Sequence, residues 1–407
     1  MSTDERTVDA AKTQSPGPLA GIRIVEFAGI GPVPYACLIL AELGADVIRV
    51  DRVGGTGRAI APSFGLERSR PNVIVDLKSQ RGREVALRLA DEADVLIEGF
   101  RPGVTERLGI GPDICRGRNP RLIYARTTGW GQSGPLRDRA GHDINYASLT
   151  GALHTVGTRD KPMQAVNMIA DFAGGSLFLV IGVLAALQER AQSGVGQVVD
   201  AAMVDGASSL VTMIYGMFAT GLWTDDRQSN LLDGDAPFYD TYRCADGAFV
   251  AVGALEPQFY SQLLDGLGLA GKLVGNQHDR AQWPEHRKAF TRAFAARTRD
   301  EWEEHFADSD ACVTPVLSLA EAPRHPHNVA RGIFAMVDGA PQPRVAPRFS
   351  RTPVLEPRSA SLPGADTATA LQAWGFTGEE VAALHESGDI HQSVRGTSEG
   401  DPATARS

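Results

Sequence analysis

The chain has 407 residues, of which 43% are apolar and 22% charged, and its 40 Lys and Arg against 49 Asp and Glu give a formal net charge of −9. This length holds two or three domains, and the composition is typical of a soluble globular protein. An acidic chain without a basic block is poorly suited to nucleic acid or anionic lipid, so neither is expected as a partner. Any bound anion must be held by a local cluster of positive side chains.

The two ends of the chain are polar. Residues 1–17 and 387–407 are expected to be disordered tails, and neither carries a recognisable targeting signal. The longest apolar stretch, residues 172–187, is shorter than the roughly 20 residues that span a bilayer, so it predicts a buried helix and no membrane partner. A cytoplasmic location is expected.

The first half of the chain alternates short β-rich runs with helical patterns. Strands are predicted at residues 22–27, 45–50, 72–76, 95–97 and 122–125, with helices at 35–43 and 80–93. Strands separated by helices indicate βαβ units, so the fold class is α/β with a parallel, Rossmann-like sheet and flanking helices. Ligands of such sheets bind beyond the carboxyl ends of the strands.

In the second half of the chain the pattern of apolar and turn-forming residues changes, which predicts a second domain. We place the large domain at residues 18–225, a linker at 226–240 and a small α+β domain at 241–328. Residues 329–386 are predicted to be a second linker that returns to the large domain, because residues 341–357 are rich in Pro and Arg and read as extended chain.

The first turn, residues 28–32, does not support dinucleotide binding. It is not a GxGxxG motif, and Pro32 lacks the N–H that a phosphate would need, although Asp51 at the end of the second strand would suit a ribose hydroxyl. The four cysteines form no CxxC pair, and the HPH motif at 325–327 has no third ligand at usable spacing. Neither a metal nor a resident cofactor is expected.

Four cations stand at or just beyond predicted strand ends: Arg52, Lys78, Arg101 and Arg107. A parallel sheet brings such ends to one edge, so together they could hold the phosphates of a nucleotide. Taken singly, each is explained equally well as a solvated surface side chain.

Three further residues are candidates for chemistry. His142 precedes Asp143, a plausible N-cap, so a base would lie beside the free N–H groups of a helix start. Asp171 begins an otherwise apolar helix and is either an N-cap or a functional carboxylate. Glu256 precedes Pro257 at a strand end and could also be only a cap.

Several segments in one order connect these residues. They are residues 21–52, VDLK (75–78), EGFRPGVTERLG (98–109), YARTTGWGQSGP (124–135), GHDINY (141–146), VNMIADFAGG (166–175) and GALEPQFY (253–260). Together they resemble the class III CoA-transferase family, and within it the enzymes that racemise 2-methylacyl-CoA thioesters in lipid and fatty acid metabolism. The resemblance runs from about Leu19 to Glu321 and continues weakly through residues 325–332 and 346–352.

The resemblance implies a site and an assembly. His142 and Asp171 would be the acid/base pair, and Glu256 would orient His142. The family forms an interlocked homodimer in which the large domain of one subunit meets the small domain of the other, so Glu256 would come from the partner chain. The residues implied to line the coenzyme A site are Arg52, Val75, Asp76, Leu77, Lys78, Gly99, Phe100, Arg101, Arg107, Gly141, Asp143, Ile144, Asn145 and Tyr146.

The residue types agree with inversion of a thioester α-carbon through an enolate by two bases, with CoA entering as part of the substrate. The alternative is a CoA-transferase of the same fold, in which Asp171 is a nucleophile that forms an acyl anhydride. A third hypothesis, a CoA-ester binding protein without turnover, is disfavoured by the presence of the whole catalytic set. The sequence departs from the family pattern at Asp235, where Gly is more common, which bears on the nearby loop only.

Overall fold

The computed structural model describes residues 17–54 and 65–393, which form two compact units. The large unit comprises residues 17–54, 65–147, 167–209 and 333–393, and the small unit comprises residues 148–166 and 210–332. The expected disordered residues 1–16 and 394–407 lie outside the described residues.

The strands of the described chain, in order, are β1 (Arg23–Phe27), β2 (Asp46–Asp51), β3 (Asn72–Val75), β4 (Val95–Glu98), β5 (Ile123–Arg126), β6 (Val198–Asp200), β7 (Tyr239–Arg243), β8 (Phe249–Gly253), β9 (Val313–Pro315), β10 (Phe334–Val337), β11 (Ala340–Pro343) and β12 (Ile390–His391).

The helices are α1 (Pro32–Glu42), α2 (Gln80–Asp91), α3 (Val104–Leu108), α4 (Pro112–Arg118), α5 (Asp143–Leu149), α6 (Ala152–Thr155), α7 (Phe178–Ser193), α8 (Met203–Leu210), α9 (Thr212–Ala219), α10 (Pro257–Gly266), α11 (Trp283–Phe294), α12 (Arg299–His305), α13 (Pro326–Arg331), α14 (Thr367–Ala373) and α15 (Gly378–Glu386). A π-helix, Met168–Leu177, leads directly into α7, and a short 3-10 helix covers Ala322–Arg324.

The large unit is built on a seven-stranded sheet in the order β12-β3-β2-β1-β4-β5-β6. Strands β1 to β6 pair in parallel, which confirms the predicted parallel α/β architecture. The strands are apolar along most of their length because helices cover both faces, and their side chains divide between two core clusters. Helix α2 is capped at its start by Ser79, whose side chain accepts the backbone N–H of Gly82.

The sheet ends on a strand that the sequence does not predict. Strand β12 pairs antiparallel with β3, and Ile390 is buried in the core. The prediction of a disordered tail from residue 387 is therefore wrong for residues 387–393. A two-residue strand leaves no periodic signal, and its pairing depends on a neighbour more than 300 residues away.

The apolar helix is longer than the sequence predicts. The π-helix and α7 make one helical run, Met168–Ser193, long and apolar enough by length and composition to cross a membrane, with 39% of its most apolar window buried. Core helices of soluble proteins pass the same test. Here Leu179 and Val183 pack in the core of the sheet, and Arg190 pairs with Asp94 at 2.8 Å. Ile181 is 57% exposed, so only one face of this helix is buried.

A buried ionic cluster joins the centre of the sheet to the segment that follows residue 64. Glu26 of β1 is fully buried and pairs with Arg49 of β2 and with Arg70 at 2.5 Å. Arg70 also donates to the carbonyl oxygens of Leu66 and Pro34. Burial raises the pKa of Glu26, but the two guanidinium groups outweigh it and lower the pKa overall.

The small unit has its own core. Its three-stranded antiparallel sheet, in the order β7-β8-β9, packs against α10, α11 and α12 around a cluster of aromatic side chains that includes Phe238, Phe290, Phe294 and Trp302. The unit begins earlier in the chain than the predicted boundary at residue 241, because residues 148–166 and 210–240 belong with it. Residues 148–219 carry no change in composition that would mark this division.

Residues 333–393 belong to the large unit. The Leu355 backbone N–H bonds the carbonyl oxygen of Glu42, and Arg68 donates to the Gln342 side chain and to the Pro343 carbonyl oxygen. The return is therefore fixed to the end of α1 by hydrogen bonds. Near the predicted linker, Asp235 pairs with Arg159 and Arg280, so the residue that departs from the family pattern holds its loop by ion pairs.

Candidate active site

The carboxyl ends of β1 to β5 lie at one edge of the large unit's sheet because these strands are parallel. Chain order reverses between β1 and β4, since β2 and β3 lie on one side and β5 on the other. Crevices at such a reversal are the usual ligand sites of open α/β sheets. The turn after β1 and the EGFRPG segment after β4 flank this point.

The predicted cationic residues gather at this edge. Arg52 follows β2, Lys78 follows β3, and Arg101 and Arg107 lie after β4, all with exposed side chains. Asp76 accepts the Lys78 backbone N–H at 3.0 Å, and Leu77 packs partly against the core. Val75 is wholly buried in the core, so its side chain is not available to a ligand.

Two residues that sequence reasoning missed hold the loop after β4. Buried Glu98 accepts the Phe100 backbone N–H at 2.7 Å and the Nε–H of Arg126 at 2.7 Å. Arg126 also donates to Glu106 at 2.8 Å, which ties α3 to the end of β5. These hydrogen bonds hold the loop that carries Gly99, Phe100 and Arg101, and they also hold helix α3, which carries Arg107. An acid ending an apolar strand, within the EGFRPG segment, was the available signal.

The GHDINY segment forms the start of α5, but with a different cap from the one predicted. His142 precedes the helix, and its carbonyl oxygen accepts the Tyr146 N–H at 3.2 Å, while the Asn145 side chain accepts the His142 N–H at 3.1 Å. The N-cap position therefore belongs to His142, and Asp143 is the first helical residue. The His142 side chain is exposed, as are those of Ile144 and Asn145.

Tyr146 packs tightly against the preceding loop. Its hydroxyl donates to the Gly141 carbonyl oxygen at 2.5 Å, and the Trp130 ring meets it edge-on at 4.7 Å. A Cβ at Gly141 would come within 2.6 Å of the tyrosine ring, so only glycine fits here. Burial and the charge of Asp171 raise the pKa of Tyr146, while Arg101 opposes them.

Asp171 lies inside the π-helix and does not cap it, so the N-cap interpretation is wrong. One oxygen of its carboxyl accepts the Asn167 side chain at 3.3 Å, and a Cβ built on Gly31, in the turn after β1, would lie 3.5 Å from that oxygen. Burial raises the pKa of Asp171, the Asn167 bond and His142 lower it, and Asp143 raises it further, with a net upward shift. Asn167, four residues before Asp171, was not identified from sequence.

Asp143 connects the two halves of the candidate acid/base pair. The aspartate is buried, and its Oδ1 accepts the backbone N–H groups of Ala170 at 2.7 Å and Asp171 at 2.8 Å. The residue next to His142 thus holds the backbone of Asp171. A histidine, together with an aspartate whose pKa is raised, can serve as the acid and the base of a proton transfer.

Glu256 belongs to the small unit. It occupies the N-cap position of α10, but its exposed side chain makes no capping hydrogen bond. The interpretation of this residue as only a cap is therefore unsupported, and its carboxylate is available for another role.

Among residues 17–54 and 65–393, no group of three or more His, Cys, Asp or Glu side chains is arranged to hold a metal ion. The residues that could bind a ligand are the exposed cations at the carboxyl edge of the sheet. The fold and these residues define an α/β protein with exposed cations at the carboxyl edge of its sheet and with a histidine and an aspartate in neighbouring segments.

Comparison with known proteins identifies the family. CoA-transferase family III matches residues 19–367, so the chain belongs to this family. It is 46% identical over 372 residues to the α-methylacyl-CoA racemase of Mus musculus, covering 90% of this chain and 96% of that one. Identity to the α-methylacyl-CoA racemase of Homo sapiens is 44% over 370 residues, with the same coverage. The expected class of enzyme, an isomerase of the racemase type, is thereby confirmed.

The fold is also that of solved family members. A crystal structure of a CAIB/BAIF family protein from Brucella suis matches with a TM-score of 0.73 and 26% identity, covering 91% of this chain and 99% of that chain. The family resemblance stated from the motifs is therefore confirmed over nearly the whole chain.

Proposed function

We propose that this enzyme inverts the α-carbon of 2-methylacyl-CoA thioesters by two-base proton transfer through an enolate. The observation that carries the proposal is the link from Asp143, the neighbour of His142, to the backbone of Asp171, a carboxyl of raised pKa. The similarity to racemases along nine-tenths of the chain supports the same reaction.

The chemistry divides between the two side chains. The α-proton is acidic because the thioester delocalises the carbanion as an enolate. A neutral His142 removes the proton from one face while protonated Asp171 returns one to the other, and the swapped protonation states run the reverse direction. Burial favours a protonated Asp171 because it disfavours the charged form.

The enolate oxygen needs hydrogen-bond donors. Asp143 is the first residue of α5, so its backbone N–H has no acceptor within the helix. We propose that this N–H binds the thioester oxygen, and such donors typically contribute about 3 kcal/mol to transition-state stabilisation.

The cations at the carboxyl edge of the sheet would bind the CoA phosphates, and no other cofactor is proposed because CoA enters with the substrate. Arg52, Lys78, Arg101 and Arg107 are exposed and follow neighbouring strands, which supports this role. We further propose an interlocked homodimer acting in the cytoplasm, in which Glu256 of the partner subunit orients His142.

The alternative is CoA transfer, which the family name supports. In that reaction the Asp171 carboxylate would attack the thioester carbonyl, expel the CoA thiolate and form a mixed anhydride. Two features favour the racemase reaction: a raised pKa leaves less of Asp171 as carboxylate, and His142 has no role in the anhydride step.

A pure enantiomer of a 2-methylacyl-CoA, incubated in D₂O without any acceptor acid, tests the proposal. We expect deuterium at the α-carbon together with inversion, measured by mass spectrometry and chiral separation. No exchange, with a new acyl-CoA formed only when a free acid is added, would instead establish the transferase reaction.

A further inference from the structure

The side chain of Asp143 is placed unusually for the first residue of a helix. It is 5% exposed and does not cap its own helix, α5. Its Oδ1 instead accepts two backbone N–H groups in the π-helix, those of Ala170 and Asp171. The N–H groups of a first helical turn have no acceptor within the helix, and the residue that precedes the π-helix provides no side-chain cap. Asp143 takes that place from 27 and 28 residues earlier in the chain.

The two Asp143 hydrogen bonds join segments of the large unit that are separated in sequence by part of the small unit. The chain leaves the large unit after Ala147 and re-enters it at Asn167, so residues 148–166 are an excursion into the small unit. His142 lies just before the departure, and Asp171 lies just after the return. The two Asp143 hydrogen bonds join the chain before and after the excursion. The Asp143 side chain is therefore a direct link between the segment that carries His142 and the segment that carries Asp171.

The surroundings of Asp171 give Asp143 an electrostatic role as well. Asp143 acts on it from the start of α5 and His142 from the residue before that helix. Asn167 contacts it from the start of its own helix, and Tyr146 lies within electrostatic range. From α1, Tyr35 packs its ring on neighbouring Phe172 at 5.0 Å. Of these groups, Asp143 is the one whose negative charge raises the pKa of Asp171.

We infer that Asp143 is the positioning residue of the acid/base pair: its carboxylate holds the Asp171 backbone so that the two reacting groups face the same α-carbon. The same contact holds the negative charge of Asp143 beside Asp171, where it favours the protonated form of that carboxyl. This inference rests on the proposed racemase function. It gives different tasks to two parts of Asp143: the backbone N–H binds the enolate oxygen, and the side chain positions Asp171.

The test uses two variants of the full-length enzyme. Asp143→Asn keeps an oxygen that can accept both N–H groups but removes the charge, whereas Asp143→Ala removes both. Each pure enantiomer of a 2-methylacyl-CoA is incubated in D₂O, and loss of its α-proton is followed across pH. One enantiomer reports the face served by Asp171 and the other the face served by His142, assigned with Asp171→Ala and His142→Ala. Asp113→Asn, on the exposed surface of α4, is the matched control.

In Asp143→Ala we expect kcat for exchange at the Asp171 face to fall about 100-fold with little change in KM, because a misplaced base loses reactivity rather than affinity. In Asp143→Asn we expect exchange at that face to continue. The acidic limb of its pH–rate profile should move to lower pH, because Asp171 loses a neighbouring negative charge. The limb for the His142 face should move less, and the control should match the wild type.

An unchanged acidic limb in Asp143→Asn, or equal movement of both limbs, would overturn the inference, as would wild-type exchange in Asp143→Ala. A poorly folded alanine variant leaves the asparagine variant to decide. If the wild-type enzyme exchanges neither enantiomer, the proposed function itself fails, which is a distinguishable outcome.

Discussion

At the scale of single residues, the half-buried carboxyl of Asp171 has the properties of a group that must change protonation state. It accepts one hydrogen bond from Asn167, lies beside the turn after β1, and is close enough to His142 and Asp143 for both charges to act on it. Burial is the largest influence on its pKa and raises it. A solvated aspartate at the same position would remain ionised and could not return a proton.

His142→Ala and Asp171→Ala should each nearly abolish inversion while leaving affinity for the CoA ester close to that of the wild type. Removal of either base stops transfer to one face, a loss of the order of 1,000-fold. Rates of inversion by chiral analysis and binding by calorimetry measure the two effects. A single variant that inverts at the wild-type rate would refute the two-base scheme.

The pH dependence follows from the direction of the Asp171 shift. Where Asp171 is the base it must be deprotonated, so kcat/KM in that direction should rise with pH through its pKa. Because that pKa is raised, the acidic limb of the profile should lie at higher pH than the pKa of a solvated aspartate. Measurement of kcat/KM for each enantiomer across pH checks this, and a limb at or below the pKa of a solvated aspartate would contradict it.

At the scale of elements, parallel pairing collects side chains that are far apart in sequence. Arg52, Lys78 and Arg101 follow three different strands and reach the same edge because β1 to β4 point the same way. The ionic network of Glu98, Arg126 and Glu106 then fixes the loop and helix that carry Arg101 and Arg107.

Arg101→Ala and Arg107→Ala should weaken CoA-ester binding more than turnover at saturation. Each variant removes a charge-assisted contact to phosphate, so KM should rise about 10-fold with kcat little changed. Steady-state kinetics separates the two parameters. Arg118→Ala, which removes a surface arginine paired with Asp91 and Glu84, is the control and should leave both unchanged. A lower kcat with constant KM would place these arginines elsewhere in the reaction.

Glu26→Gln should destabilise the large unit because it leaves Arg49 and Arg70 buried without their carboxylate. Loss of one partner of a buried ion pair typically costs about 3–5 kcal/mol. The pKa of Glu26 is lowered in the folded protein, so the wild type should lose the stability that Glu26 contributes as pH falls through that pKa. The variant lacks this stability at every pH.

Urea unfolding near neutral pH and in acid measures the Glu26 effect. Glu84→Gln, at an exposed pair with Arg118, is the matched control and should cost no more than about 1 kcal/mol. Equal stability of the two variants would show that the cluster does not stabilise the fold.

At the scale of the whole molecule, the chain passes between its two units four times. His142 and Asp171 lie in the large unit, on either side of one such excursion, whereas Glu256 lies in the small unit at the start of α10. The catalytic set proposed for this enzyme therefore draws on both units, and the proposed homodimer would supply Glu256 from the partner subunit.

Co-expression of His142→Ala and Glu256→Ala subunits tests that assembly. If the site is shared between subunits, a mixed dimer contains one doubly defective site and one intact site. Random pairing in equal amounts should then restore about a quarter of the wild-type activity. Racemisation assays on the purified mixture, beside each variant alone, measure the recovery. No recovery in a verified mixed dimer would mean that each site uses residues of one chain.

The parallel α/β architecture, the family and most of the candidate site residues follow from the amino-acid sequence alone. Short apolar, β-rich runs mark β1 to β5 because strands buried on both faces must be apolar. The carboxyl-edge rule then groups Arg52, Lys78 and Arg101. Local patterns also place His142 at a helix start.

Features that depend on partners distant in the chain appear only in the folded structure. Capping by Asp143 was expected within its own helix, yet its side chain bonds residues 27 and 28 positions later. Strand β12, the Glu98–Arg126–Glu106 network and the membership of residues 148–166 in the small unit were not predicted for the same reason. Hydrophobic periodicity records which face of an element is buried, whereas a hydrogen bond between distant residues leaves no periodic trace. The contribution of Asp143 to the raised pKa of Asp171 belongs to this second class, since only the folded chain brings that charge close.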